Sequence, residues 1–115
     1  MKKIKKIISL NEDSLALLNT TRRRYFNGNA SDADIKQTLS KVDRTIPTLS
    51  GIFERALNLF YDKKIDKIIK NKELIIKKQT IYLHQISNQK YNELIVRHNC
   101  KAVDLINMII KSIYA

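Results

Sequence analysis

Residues 4–10 read I-K-K-I-I-S-L, a β-branched run in which Ile4, Ile8 and Leu10 share one face by period-two alternation. Lys3, Lys5, Ile7 and Ser9 share the other face. Lys6 falls on the apolar face and has to snorkel out of it. No other segment reads as a strand, so this one needs a partner from a second copy of the chain. A helix is predicted straight after: Asn11 is a good N-cap, and Glu12 and Asp13 occupy the first turn, where the helix dipole favours acids. Leu15, Leu18, Tyr25 and Phe26 recur near helical spacing, and Asn27-Gly28-Asn29 is a terminator.

Residues 31–42 carry Ile35, Leu39 and Val42 at i, i+4 and i+7, with Ser31 and Asp34 resembling a capping pair; this predicts a short helix. Asp43 to Pro47 is a linker, extended before the proline. Thr48 then caps the best-marked helix, whose apolar face holds Ile52, Phe53, Ala56, Leu57, Phe60 and Tyr61. Helical stripes continue through Ile65, Ile68, Ile69, Leu74, Ile75 and Ile76, then from Ile81 and Leu83 to Ile113, with Asn71, Asn88 and Asn99 as breaks. The pattern shows no internal repeat.

Charge changes this picture. Twenty-two Lys/Arg against eleven Asp/Glu give a net +11 over 115 residues. Such an excess repels itself unless an anion is near, and nucleic acid is the commonest anionic partner. A membrane surface is less attractive without tryptophan, and no segment predicts a signal peptide or a transmembrane span. One cysteine, Cys100, allows no intrachain disulfide and fits a reducing, cytoplasmic setting. His84 and His98 lack partners at metal-ligand spacing. With no glycine-rich phosphate loop and no paired carboxylates, the chain does not read as an enzyme, and no cofactor or metal is expected. Tyr82, Tyr91 and Tyr114 read as core-edge residues, and the lysines of 63–78 either contact DNA or keep a helix soluble.

Strand, helix and helix within the first sixty residues resemble the ribbon-helix-helix family of bacterial DNA-binding proteins. The resemblance rests on I-I-S-L-N-E-D-S-L-A-L-L, residues 7–18, and T-L-S-G-I-F-E-R-A-L, residues 48–57. It implies a mainly α fold: a ribbon-helix-helix domain over 1–62, with a short inserted helix at 31–42, and a helical extension over 63–115. One short strand would pair across a homodimer or higher homo-oligomer. The family's ribbon enters the major groove, so outward Lys3, Lys5, Ile7 and Ser9 would meet bases. Thr48, Leu49 and Ser50, at the start of a helix, would hold a phosphate, and Arg22, Arg23 and Arg24 are further phosphate candidates. The roughly twenty residues between Phe26 and Thr48 depart from the family's short turn. The functions implied are transcriptional repression or plasmid mobilisation beside a relaxase, to which residues 97–107 bear a faint similarity. The alternative is an all-helical oligomeric adaptor that binds proteins and not DNA, with residues 3–10 disordered or helical.

Overall fold

β1 (Ile4–Asn11) ends on the buried Asn11, whose side-chain oxygen accepts from the Ser14 backbone N–H at 2.8 Å. That bond caps α1 (Glu12–Arg24). α2 (Leu49–Asp62) starts at Thr48, whose hydroxyl accepts from Gly51 N–H at 3.1 Å. An irregular linker leads to β2 (Ile75–Leu83), followed by α3 (Gln85–His98) and α4 (Ala102–Tyr114). Asn99, in the left-handed conformation at φ 47°, ends α3 and turns the chain into α4 within three residues. The computed structural model describes residues 3–24 and 48–115. The expected helix at 31–42, the stop at 27–29, the linker at 43–47 and the Arg24 side chain lie outside the described residues.

The strand's partner is not a second chain. β1 pairs antiparallel with β2, with Ile4 opposite Leu83, Ile7 opposite Thr80 and Ser9 opposite Lys78. The mainly α fold with a ribbon formed across a dimer is therefore incorrect. Among the described residues the chain has four helices and a two-stranded sheet, a mixed α/β arrangement. Residues 63–115 are not an all-helical extension, and an all-helical protein is excluded because residues 4–11 form a strand. The error has a physical source. Ile75 and Ile76 fall on a helical spacing, and Ile81 with Leu83 fits the same apolar stripe. A strand is fixed by its ladder partner, here some seventy residues away in sequence, and no local pattern contains that pairing.

Among the described residues the order strand, helix, helix occurs twice. Ile8, Leu10, Ser14, Leu18 and Thr21 are buried in the first half; Ile81, Leu83, Ser87, Tyr91 and Leu94, each 73 positions further on, are buried in the second. Ile52, Phe53, Ala56 and Leu57 of α2 match Leu105, Ile106, Ile109 and Ile110 of α4, each 53 positions on and all buried. The difference of twenty is the extra length between α1 and α2. The two halves are thus related by an approximate two-fold axis through the Ile7–Thr80 pair, the centre of the paired register. The repeat is in burial rather than in sequence, which is why residue identity does not show it.

The halves interlock. α2 packs on β2 and α3 of the other half, α4 packs on β1 and α1, and α2 and α4 pack on each other. One apolar cluster therefore includes Ile8, Leu10, Leu18, Phe53 and Phe60 with Ile81, Leu83, Leu105 and Ile109, and the expected boundary at 62/63 does not divide it. Polar contacts follow the same symmetry. Asn107 of α4 accepts from the Asn11 backbone N–H at 3.0 Å, and its symmetry mate Glu54 of α2 accepts from the His84 backbone N–H at 2.8 Å. Each strand-to-helix junction is clamped by a side chain from the opposite half.

Candidate nucleic-acid interface

Because side chains alternate along a strand, the buried set on one face fixes the identity of the other. Ile8, Leu10, Ile81 and Leu83 face the core. Lys5, Ile7 and Ser9 of β1 therefore share the outward face with Tyr82, Thr80 and Lys78 of β2, their respective partners. Lys3 and Lys5 are exposed, Ile7 is 61% exposed, Tyr82 is 48% exposed and Ser9 is half-buried. The two strands together hold four lysines and no acid. Lys6 does not reach that surface as a free charge: its ammonium lies 4.8 Å from the centre of the Tyr91 ring, so the cation that looked misplaced is held over an aromatic face.

The structure places Lys5, Ile7 and Ser9 on one face, with Lys3 exposed one residue before β1; it joins to them Lys78, one of the lysines of 63–78 with a DNA-contact reading, and adds Thr80 and Tyr82, which sequence reading missed. The signal available for them was the alternation in T-I-Y-L, residues 80–83, just before an N-cap position. It repeats the I-S-L of residues 8–10 before Asn11.

Thr48, Leu49 and Ser50 stand at the start of α2 beside β2. Ser50 Oγ accepts from the Tyr82 backbone N–H at 3.0 Å, which ties this helix end to the ribbon. The Thr48 hydroxyl is engaged by Gly51, and Leu49 packs against the core. With the Gly51 N–H taken by Thr48, what this end offers an anion is the Leu49 and Ser50 backbone N–H groups, which an α-helix leaves without an i−4 partner. By the internal symmetry, Lys101, Ala102 and Val103 stand at the start of α4 near β1. Asn107, one turn further along α4, donates to the Ser9 carbonyl at 3.0 Å. Lys101 is exposed at the N-cap and makes no side-chain cap bond. It borders an open groove of about 490 Å³ with Lys67, Lys70, Arg97 and His98, where the acids are Asp66 and Asp104. Asp104 is engaged in the fold, accepting from the Asn71 backbone N–H at 2.8 Å.

Arg22 and Arg23 are half-buried in the last turns of α1, and Arg22 lies roughly 15 Å along the helix axis from Glu12. On α3, Lys90 donates to Asn58 at 3.1 Å and Arg97 donates to Glu93 at 2.9 Å, so these cations knit the helix surface. Tyr61 donates to the same Glu93, and that bond, joined by the Arg97 guanidinium, outweighs desolvation and holds the carboxyl below its usual range.

Burial pushes the Glu54 carboxyl up, but bonds from the His84 backbone N–H, the His84 ring and Ser87 outweigh it and leave it below the ordinary value. Burial raises the Tyr91 hydroxyl to about 12 and lifts the Cys100 thiol. Tyr91 therefore stays neutral beneath Lys6, and Cys100 is a poor nucleophile at neutral pH. No helix among the described residues is long and apolar enough to cross a membrane. Compared with family models, curated proteins and solved structures, the chain gives no match.

Proposed function

We propose that the chain binds double-stranded DNA by laying the β1–β2 ribbon, outward face down, in a major groove. The observation that carries this reading is a solvent-facing two-stranded ribbon whose strands hold lysines and no acids, in a protein of net charge +11. A major groove about 12 Å wide admits such a ribbon. Lys5 and Lys78 would donate to guanine edges, Ile7 would meet a thymine methyl, and Ser9, Thr80 and Tyr82 supply hydroxyls. The starts of α2 and α4 would rest on phosphates either side, with Lys101 adding a charge. The likeness to ribbon-helix-helix proteins is in this mode of reading. The ribbon itself is complete in one chain, so a homodimer is not needed to make it. Repression of transcription and assembly beside a relaxase at a transfer origin are both roles for such a binder, and footprinting on the native replicon separates promoter from origin.

The test is fluorescence anisotropy with duplex DNA at two salt concentrations. If about six phosphates are neutralised, affinity falls by roughly a thousandfold between 50 and 200 mM salt. Replacing Lys5 and Lys78 by alanine should cost the preferred site about 10–100-fold each, with a smaller loss on random sequence. Absence of binding at 50 mM salt refutes the proposal.

A further inference from the structure

Over the regular ladder from Ile4–Leu83 to Leu10–Lys77, the ribbon's two strands correspond position for position and differ in chemistry. The approximate two-fold exchanges Lys5 with Lys78, Ile7 with Thr80, and Ser9 with Tyr82. Lysine is kept at one position, while an isoleucine faces a threonine at the centre and a serine is replaced by a half-exposed tyrosine at one end. A dimer of identical chains shows the groove the same residues from both directions, and its target is accordingly palindromic. A ribbon made from one chain carries no such constraint.

Resting on the DNA-binding reading above, we infer that a single chain is the complete reading unit and that its target is an asymmetric duplex sequence, with Thr80 and Tyr82 as specificity-determining residues. Lys5 to Ser9 spans four residue steps, roughly 14 Å of strand. That length covers about four base pairs at ~3.4 Å each. Within that core the two lysines ask for a related base at each end. Ile7 and Thr80 meet the central pairs with a methyl-rich surface on one side and a hydroxyl on the other. The Tyr82 end is bulkier than the Ser9 end, which excludes the inverted placement. The interlock of halves supports one chain acting alone, because each strand-to-helix junction already has its clamp from the same chain, at Asn107 and Glu54.

The experiment is selection of bound duplexes from a randomised pool by the full chain, followed by native mass spectrometry on a selected duplex of about one and a half helical turns, ~15 base pairs. The expected result is a motif that differs from its own reverse complement and a complex of one chain per duplex. Two variants make the face symmetric in opposite senses: T80I with Y82S copies the β1 side, and I7T with S9Y copies the β2 side. Each is checked for folding by circular dichroism, and whichever retains the fold should move preference towards a palindrome by about tenfold or more, the discrimination of one base contact. A palindromic motif from the natural chain, an obligatory two chains per duplex, or a folded symmetric variant with unchanged preference overturns the inference while leaving DNA binding intact. Failure to retain any duplex at low salt overturns the DNA-binding reading and this inference with it.

Discussion

Asn107→Ala tests the interlock of the two halves most directly. The side chain is buried, accepts from the Asn11 N–H at 3.0 Å, and donates to the carbonyls of Ser9 at 3.0 Å and Val103 at 2.7 Å. Truncation leaves the Asn11 N–H and the Ser9 carbonyl without that partner, in a place water does not readily reach. A buried polar group left unpaired costs about 1–3 kcal/mol. Two such groups, one of them only partly buried, give a loss of about 2–4 kcal/mol, a large share of a domain's usual ~5–15. With a urea slope of about 2 kcal/mol/M, the unfolding midpoint should fall by roughly 1–2 M. The control is Asn92→Ala on the exposed side of α3, expected within about 0.5 kcal/mol of the parent. Hydrogen exchange gives a second readout, since the Asn11 amide should lose protection ahead of amides in α2. A midpoint shift no larger than the control's would show that the junction is held by packing alone, and the clamp argument would be wrong.

Two further outcomes follow from the same geometry. Glu54 has its folded-state carboxyl below the ordinary value, so the stability it contributes is present above the unfolded carboxylate range and is lost as pH falls through the lower folded value. Urea midpoints measured from pH 7 down to pH 3 should therefore decline more steeply in the parent than in Glu54→Gln, and parallel curves would refute it. Lys6→Ala should lower stability by about 1 kcal/mol through loss of the cation–ring contact with Tyr91 while leaving DNA affinity nearly unchanged, in contrast to Lys5→Ala on the opposite face. Equal losses of affinity from both would mean that net charge, and not the outward face, carries binding.

Much of the first half was legible locally. The alternation in residues 4–10 marks a strand and its two faces, Asn11 and Thr48 mark helix starts, and the apolar spacing of Ile52, Phe53, Ala56, Leu57 and Phe60 marks a buried helix face. Each is a property of neighbours within one or two turns, and such properties are written in composition and period. β2 was not legible in the same way. Its first residues, Ile75 to Gln79, mix apolar and charged side chains because one end of the ribbon is open to solvent, so the alternation emerges only from Thr80 on.

What the sequence determined by itself is a basic chain with an N-terminal strand, a lysine-bearing face opposite Ile8 and Leu10, and helices with one buried stripe each. What only the tertiary structure decided is who completes the ribbon. A strand's unpaired N–H and C=O groups demand a partner without naming one. The repeat of burial, from Ile8 and Leu10 to Ile81 and Leu83, supplies it from within the same chain. That choice depends on contacts across some seventy residues, and it turns half of a two-chain ribbon into a whole one.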